Sequence, residues 1–327
     1  MKAWLIDNIG GGIGQLRVGT VTDPVPEPGE VVLDVLYAAI NPADRYLAEG
    51  QYPAKPALPH VLGRDGVGVV SEVGADVKDL RPGDKVVILR SEIGVNRPGT
   101  LAEKVAVRVE SLVPVPPGWT DEQAGGAPLV YLTAHQALSM WGELPPSVVL
   151  VTGASGGVGV ACVQLARAMG HTVVALSRGE EKRAHLERLG ADHALDPTDG
   201  GWVQELKKML GRRRVDLAVD NIGGTLLPQV IDTLGEHGRV SCVGRLAGPV
   251  PQFNTATLFF RRLRLGGVNV GAPTARESQE VWRKVLDLLG RTGARPLVDQ
   301  IFPFDQLPDA FERLREGPMG KVVLAIQ

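Results

Sequence analysis

The chain has 327 residues and a formal net charge of −2, and 44% of its residues are apolar. These values are typical of a two-domain globular protein, and they give no electrostatic reason to expect a nucleic acid or an anionic membrane as a partner. Two cysteines are too few for a disulfide framework or a four-cysteine metal cluster. Because the sequence shows no signal-peptide core and no run approaching the ~18 apolar residues of a membrane span, we expect a cytoplasmic protein.

The first 120 residues predict a β-rich domain, since short apolar segments alternate with Gly and Pro. Strands are predicted at residues 31–36, 66–73, 85–89 and 112–113. Two glycine clusters in this part, 10–14 and 63–68, lack the strand-to-helix frame of a phosphate-binding turn. The first cluster is therefore interpreted as a hairpin loop, and the second as the lead into a strand.

From residue 148 onward, apolar strands alternate with helical patterns at the spacing of βαβ units. The predicted strands are 148–152, 172–176, 193–195, 215–219 and 239–243, and the predicted helices are 158–169 and 180–189. Gly190 stands where the second helix needs a left-handed residue at its end. The last part of the chain predicts a strand at 301–303, a helix at 307–315 and a strand at 321–325. An α/β nucleotide-type domain is thus inserted into a β-rich domain that both chain ends build.

The strongest single signal is the segment 151–159, VTGASGGVG, in which a strand runs into a glycine turn and then a helix. Gly156 would let the backbone approach a pyrophosphate, and Gly159 would let the helix pack closely. Ala154 replaces the first Gly of the usual pattern. The predicted phosphate-binding residues are Ser155, Gly156, Gly157 and Val158. The alternative is a tight turn that only packs a helix.

The end of the second strand bears on the choice of nicotinamide cofactor. Proteins that bind NAD usually place an Asp or Glu there for the ribose 2′-hydroxyl, whereas this strand is followed by Ser177 and Arg178. A hydroxyl and a guanidinium suit a 2′-phosphate, and Lys182 could add a second positive charge. The sequence therefore predicts NADPH. The alternative is that Arg178 and Lys182 are solvated residues at a helix start.

The chain resembles the medium-chain dehydrogenase/reductase superfamily, and within it the zinc-free quinone oxidoreductases and their enoyl-reductase relatives. The segments that carry the resemblance are 41–46 (NPADRY) with Gly50, Tyr52 and Pro53, 62–68 (LGRDGVG), 132–134 (LTA), 154–159 and 320–324 (GKVVL). It implies a doubly wound parallel Rossmann sheet of six strands at 122–266, inserted in a GroES-like catalytic domain at 1–121 and 267–327.

The resemblance also bears on metals. Zinc alcohol dehydrogenases of this superfamily carry Cys where this chain has Asn41, and Gly-His-Glu where it has Gly63-Arg64-Asp65. Cys162 and Cys242 fall in core-like positions, and the six His show no paired spacing. We therefore expect no metal site. Without a Lewis acid, the favoured acceptors are quinones or conjugated enones, which delocalise the charge that hydride brings.

Three residues near the N-terminus are candidates for the catalytic site. The resemblance implies that Asn41 and Tyr46 line the nicotinamide pocket, the first with amide hydrogen bonds and the second with a phenolic donor. Tyr52 matches the tyrosine proposed as proton donor or carbonyl anchor in enoyl-thioester reductases. The alternative is that both tyrosines are packing residues in a loop.

Further cofactor contacts are expected elsewhere. Thr133, interpreted as the beginning of a helix, would face the nicotinamide phosphate or cap that helix. By the resemblance Lys321 reaches the cofactor; the alternative is a solvent-facing lysine on an edge strand. The residues predicted to bind cofactor at the carboxyl ends of later strands are Asn221, Val243, Gly244 and Arg245.

The predicted activity is NADPH-dependent, metal-free hydride transfer to quinones or small α,β-unsaturated carbonyls. Two alternatives stay open: a 2-enoyl-thioester reductase, and an NADPH-binding sensor or structural protein, since few acid or base groups can be placed. The arginine runs at 212–214 and 261–264 are interpreted as solvated faces. The second run precedes a predicted strand, 265–270, through which relatives dimerise, so the resemblance also implies a homodimer.

Overall fold

The computed structural model describes residues 1–89 and 92–327. Contacts between Cα atoms divide the chain into two compact units. Unit 1 comprises Met1–Leu129, Gly271–Arg283 and Arg295–Gln327, and unit 2 comprises Val130–Val270 and Lys284–Ala294. The domain limits predicted from the sequence, 121/122 and 266/267, stay a prediction. Among the described residues, no helix combines the length and the apolar character needed to span a membrane.

The strands, in chain order, are β1 (Lys2–Ile6), β2 (Arg17–Thr20), β3 (Glu30–Ala39), β4 (His60–Val61), β5 (Asp65–Val73), β6 (Lys85–Ile88), β7 (Lys104–Arg108), β8 (Leu112–Pro114), β9 (Val148–Val151), β10 (Thr172–Leu176), β11 (His193–Leu195), β12 (Val215–Asp220), β13 (Leu234–Cys242), β14 (Arg264–Gly267), β15 (Val298–Pro303) and β16 (Lys321–Ala325).

The α-helices are α1 (Pro42–Ala48), α2 (Asp121–Gly126), α3 (Pro128–Ser139), α4 (Gly157–Ala168), α5 (Glu180–Leu189), α6 (Trp202–Leu210), α7 (Leu227–Thr233), α8 (Ala256–Phe260), α9 (Ala275–Thr292) and α10 (Leu307–Glu316). Short 3₁₀ helices lie at Ile13–Gln15, Val109–Ser111, Gly224–Leu226 and Phe304–Gln306.

Unit 1 contains two mainly antiparallel sheets, as its alternating apolar segments and turns predict. One has the strand order β2-β1-β4, and the other has the order β15-β16-β3-β5-β6-β8, with β7 also paired to β3. Strand β16 pairs antiparallel with β3, so that Val323 lies opposite Ala39. This long-range pairing brings Lys321, at the start of β16, to the end of β3, where Asn41 follows.

Unit 2 contains a six-stranded parallel sheet with the order β11-β10-β9-β12-β13-β14. All four residues of β9 are completely buried, as expected for a strand covered on both faces. The strand order reverses between β9 and β12, and α/β proteins of this topology bind ligands at the carboxyl ends of the strands at that point. The predicted fold class, a Rossmann sheet together with a GroES-like β-rich part, is confirmed.

Several elements have the predicted bounds, among them β10, β11, β16 and α5, and Gly190 ends α5 with a left-handed φ of +119°. One expectation is wrong: Thr133 does not begin a helix, because α3 starts at Pro128, whose fixed φ suits a first helical position. The alternative that placed Lys321 on an edge strand is excluded, because β16 has a partner on each side. The strand predicted at 265–270 is shorter and begins one residue earlier, at Arg264.

Candidate active site

A buried network of charged and amide side chains lies in unit 1. Its members are at most 9% exposed: Asn41, Asp44, Arg64, Asp65 and Lys321. Most of them lie at the end of an element, since Asn41 precedes α1, Arg64 precedes β5, and Lys321 begins β16, whereas Asp44 is in the first turn of α1. Burying a charge costs free energy unless the charge is paired, so a buried cluster of four charged side chains and one amide is a candidate functional site.

The Lys321 ammonium group is the centre of one half of the network. Its Nζ donates to the Asn41 side-chain oxygen at 2.7 Å, to the Ile40 carbonyl at 3.0 Å and to Asp65 Oδ2 at 3.3 Å. Asn41 Nδ2 donates to the same Asp65 oxygen at 2.9 Å, and the Leu129 N–H donates to Asp65 Oδ1 at 3.2 Å. Burial raises the pKa of the Asp65 carboxyl, although the Lys321 ammonium and the Asn41 amide act in the opposite direction.

The second half of the network joins Asp44, Arg64 and Tyr52. The Asp44 carboxylate is completely buried and accepts from the Asn41 backbone N–H at 2.9 Å and from Arg64 Nε at 3.1 Å. Arg64 Nη1 donates to the Tyr52 hydroxyl oxygen at 3.3 Å, and the guanidinium carbon lies 4.9 Å from the centre of the Tyr52 ring. Burial disfavours the guanidinium charge, but Asp44 and Tyr52 outweigh it and raise the pKa of Arg64.

The three predicted catalytic residues thus have different surroundings. Both amide atoms of Asn41 are hydrogen-bonded within the network. Tyr52 is half-buried and touches the network through Arg64. Tyr46 is half-buried on α1, with the Arg45 guanidinium 5.2 Å from its ring centre. Lys321, predicted to bind cofactor, is buried in the network rather than solvent-facing.

The side chains at the positions that the sequence resemblance aligns with zinc ligands do not suit that ion. Zinc is bound by thiolates, imidazoles and carboxylates. Here an amide and a guanidinium stand at two of those positions, and the Lys321 ammonium lies between Asn41 and Asp65. Across residues 1–89 and 92–327, no group of three or more His, Cys, Asp or Glu could hold a metal. Burial also raises the pKa of both thiols, Cys162 and Cys242.

The glycine turn after β9 lies in unit 2 with the geometry that a phosphate-binding loop needs. Gly153 has a φ of +57°, and Gly156 donates back to the Gly153 carbonyl at 3.1 Å. A Cβ on Gly159 would lie 2.3 Å from that carbonyl oxygen, so this position requires glycine for close packing of α4. A Cβ on Gly156 would meet only one atom, at 3.6 Å, so the protein's own packing does not require glycine there.

The residues predicted to hold the pyrophosphate surround the beginning of α4. Ser155, Gly156, Gly157 and Val158 are all partly exposed. The Val160 N–H bonds to the Gly156 carbonyl at 2.8 Å and so belongs to the helix ladder. The earlier N–H groups of a helix have no partner in that ladder and carry the positive end of the helix dipole, which makes this terminus suitable for a phosphate.

The end of β10 carries the residues predicted to select NADPH. Ser177 is buried, and its hydroxyl donates to the Arg178 carbonyl at 3.3 Å, whereas Arg178 itself is exposed. Lys182 is partly buried on α5. Sequence reasoning missed Arg183, which bonds to the Ser177 carbonyl at 3.4 Å and pairs with Asp196 at 2.8 Å. Hydrogen bonds from Thr198, and then the charge of Arg183, lower the pKa of Asp196.

The ends of β9 and β12 are tied together by polar side chains. Asp220 Oδ1 accepts from the Thr152 hydroxyl at 2.7 Å, and Asp220 also accepts from the backbone N–H of Gly223 at 3.1 Å. Asn221 donates its side-chain amide to the Thr152 carbonyl at 2.8 Å. The Asn221 side-chain oxygen is buried and has no hydrogen-bond partner among the described residues. Thr152 and Asp220 were not predicted as site residues. The feature of the sequence that indicates them is a polar residue at the end of each of the two apolar strands between which the strand order reverses.

The remaining predicted cofactor residues lie in unit 2 as well. The N–H groups of Val243 and Gly244 donate to the Asp220 carbonyl at 2.9 and 3.2 Å, which places both beside Asn221. A Cβ on Gly244 would lie 2.3 Å from the Asn221 carbonyl oxygen. Arg245 follows them and is half-buried, and Thr133 is buried within α3.

Comparison with known proteins agrees with this geometry. Residues 27–117 match the model of the alcohol dehydrogenase GroES-like domain, and residues 157–291 match that of the zinc-binding dehydrogenases. A quinone oxidoreductase from Lama guanicoe is 30% identical over 332 residues, covering 100% of this chain and 98% of that protein.

Two solved structures share the fold. An NAD-dependent alcohol dehydrogenase has a TM-score of 0.91 at 30% identity and covers 100% of both chains. A mycobacterial protein in complex with NADPH has a TM-score of 0.89 at 26% identity and covers 99% of both chains. The chain therefore belongs to the medium-chain dehydrogenase/reductase family, among its NAD(P)-binding, quinone oxidoreductase-like oxidoreductases.

Proposed function

We propose that this protein uses NADPH to reduce quinones or small α,β-unsaturated carbonyl compounds and that it does so without a metal. The observation that carries the proposal is the Lys321 ammonium, which lies between Asn41 and Asp65, two positions that the sequence resemblance aligns with zinc-binding residues of related dehydrogenases. A site built from an ammonium, an amide and phenols offers hydrogen bonds and protons but no Lewis acid. Acceptors that delocalise negative charge over a conjugated system depend least on a Lewis acid.

The cofactor would be held mainly by unit 2. The amino end of α4 would bind the pyrophosphate, and the open side of Gly156 would admit it. Ser177, Arg178 and Lys182 would bind the 2′-phosphate. The remaining proposed cofactor contacts are Thr133, Asn221, Val243, Gly244, Arg245 and Lys321. When bound, NADPH supplies the hydride.

The choice of NADPH over NADH depends on Arg178. One similar structure is that of an NAD-dependent alcohol dehydrogenase and another is a complex with NADPH, so resemblance alone favours neither cofactor. Arg178 is exposed immediately after β10, and no acidic residue stands at Ser177 or Arg178 to accept from a ribose hydroxyl. A free guanidinium at this place suits a phosphate.

The proposed catalytic residues would orient the acceptor and supply a proton. Asn41 would meet the nicotinamide with an amide whose orientation Lys321 and Asp65 fix. The Tyr46 and Tyr52 hydroxyls are the candidate proton donors. In the overall reaction NADPH, a proton and a quinone give NADP⁺ and a hydroquinone.

The test is the loss of NADPH absorbance with a naphthoquinone, phenanthrenequinone, short enones and crotonyl-CoA. We expect consumption with the quinones or free enones, and no consumption with any of the four would overturn the proposal. Much faster turnover of crotonyl-CoA would identify a 2-enoyl-thioester reductase instead. Tight NADPH binding without turnover would identify a sensor or structural protein.

Two further expectations belong to the same proposal. Strand β14 is at the edge of the unit 2 sheet, where a second copy could extend the sheet, and a homodimer follows from the family resemblance. Its test is the mass in solution by light scattering. A cytoplasmic location suits two unpaired cysteines, of which Cys162 is buried and Cys242 is half-buried, and it is tested by cell fractionation.

A further inference from the structure

Arg64 stands out among the charged groups because it is buried and contacts both a carboxylate and a tyrosine. Only 9% of the residue is exposed, and it bonds Asp44 on one side and the Tyr52 hydroxyl on the other. An ion pair with Asp44 alone would not require the contact with Tyr52. We propose that Arg64 is a positioning residue that holds the Tyr52 phenol ready to donate a proton to the reduced acceptor, a role that rests on the proposed function.

The orientation of the guanidinium is fixed by the elements around it. Asp44 is completely buried on α1, and its second oxygen accepts from the Asn41 N–H at the start of that helix. Arg64 therefore pairs with a carboxylate that cannot turn away without losing a buried hydrogen bond. Tyr52 follows α1 closely in sequence. By fixing the Arg64 guanidinium, the Asp44 carboxylate on α1 also fixes the position from which Arg64 contacts the Tyr52 phenol.

The direction of the hydrogen bond decides what Tyr52 can do. A guanidinium has five N–H donors and no acceptor, so in the 3.3 Å contact Arg64 donates and the phenol oxygen accepts. The phenol hydrogen cannot point to Arg64 and is left to donate to another group. Because Tyr52 is half-buried rather than enclosed, that group can be a bound acceptor molecule.

Proton transfer from Tyr52 would complete the reduction of the acceptor. Hydride addition leaves a negative charge on the oxygen of a quinone or on the enolate of an enone. The O–H bond of Tyr52 breaks, and a new O–H or C–H bond forms on the product. The phenolate that remains lies beside the Arg64 cation, where a charge-assisted hydrogen bond stabilises it until water restores the proton.

The test is a double-mutant cycle with R64K, Y52F and the combined variant. Lysine keeps a positive charge for Asp44, but a compact ammonium cannot reach both partners as a planar fork does. We expect Y52F to lower kcat about 100-fold, the lower end of the range for a general-acid contribution, and R64K to lower it about 10-fold. The combined variant should be no slower than Y52F, because Arg64 acts through Tyr52. The KM for NADPH should be unchanged in all three.

A control and a second readout separate this role from a structural one. R17K changes an exposed arginine that pairs with Asp7 at 2.6 and 2.8 Å and should leave kcat unchanged. The wild type should show a solvent deuterium isotope effect on kcat that Y52F loses. If R64K does not fold, the variant Asp44→Asn/Arg64→Gln replaces the ion pair by two amides, and its kcat should fall as R64K predicts.

The results that would overturn the role are distinct from failure of the function. Additive losses in R64K and Y52F, or an R64K enzyme with wild-type kcat, would show that Arg64 does not act through Tyr52. In those cases the wild type still oxidises NADPH, and the proposed function stands. A wild type that consumes no NADPH with any acceptor would overturn the function and this role together.

Discussion

The polar groups of unit 1 and unit 2 are organised in opposite ways. In unit 1, Asp44, Asp65 and Lys321 are buried and are paired with side chains of the same unit. In unit 2, the candidate cofactor groups include backbone donors at the start of α4 and the exposed side chain of Arg178, beside buried polar residues such as Ser177 and Asn221. The charges of the unit 1 network are paired within that unit before any ligand arrives, with Arg64 Nη2 left without a hydrogen-bond partner among the described residues, whereas the unit 2 groups are available for a ligand. Substitutions in the network should therefore change folding stability, and substitutions at the strand ends should change cofactor affinity.

The largest effect is expected for Lys321→Met. It leaves the completely buried Asp65 carboxylate without its cation, and breaking a buried pair in this way typically costs about 3–5 kcal/mol of unfolding free energy. Lys85→Met is the matched control, because Lys85 and Asp121 form a pair at 2.7 Å that is 42% and 28% exposed. Such pairs contribute about 0–1 kcal/mol. Urea denaturation measures the free energy of unfolding of both variants. Equal losses would contradict the expectation that the buried pair contributes more to stability than the exposed pair.

The two glycines of the turn should separate stability from binding. Gly159→Ala places a Cβ 2.3 Å from the Gly153 carbonyl oxygen, so we expect a loss of about 1–3 kcal/mol in unfolding free energy, as in overpacked sites. Gly156→Ala meets one atom at 3.6 Å and should change stability by no more than about 0.5 kcal/mol. Its added methyl should instead weaken NADPH binding by about 10-fold, which corresponds to about 1.4 kcal/mol. Thermal unfolding and NADPH fluorescence titration measure the two quantities; wild-type affinity in Gly156→Ala would contradict a phosphate at this loop.

Arg178→Ala should change cofactor preference and little else. Losing one charge-assisted hydrogen bond to the 2′-phosphate should lower the ratio of kcat/KM for NADPH to that for NADH by about 10-fold. Arg188→Ala, an exposed arginine at the other end of α5, is the control and should leave the ratio unchanged. An unchanged ratio in Arg178→Ala would contradict the 2′-phosphate argument.

The smallest effect is expected for His60, which is buried in unit 1 with its Nε2 unpartnered among the described residues. Burial lowers the pKa of this imidazole below its ordinary value of 6.5. The unfolded chain therefore binds this proton more readily than the folded protein does. As the pH is lowered from 6.5, the free energy of unfolding decreases until the pH is below the pKa of the folded state. His60→Gln should reduce the slope of unfolding free energy against pH in that window. Burial also lowers the pKa of His135 and His171, so the informative quantity is the difference from wild type; an identical slope would contradict the prediction.

Local signals in the sequence predicted the elements that local residues determine. Gly190 terminates α5 as expected, and the glycine turn after β9 has the geometry that its spacing indicates. The burial of Lys321 and Arg64 was harder to predict, because it depends on contacts with residues distant in the sequence. Lys321 bonds Asn41 across 280 residues, and Arg64 bonds Asp44 across 20. Thr133 was misplaced because Pro128 begins the helix earlier. The roles of Asn41, Tyr46 and Tyr52 stay predictions.

The most direct test of the account is the rate of NADPH oxidation with a naphthoquinone before and after exhaustive treatment with phenanthroline, with zinc content measured on the same samples. We expect an unchanged rate and far less than one zinc per chain, because an ammonium lies between Asn41 and Asp65. A rate that disappears on chelation and returns when zinc is added would contradict it.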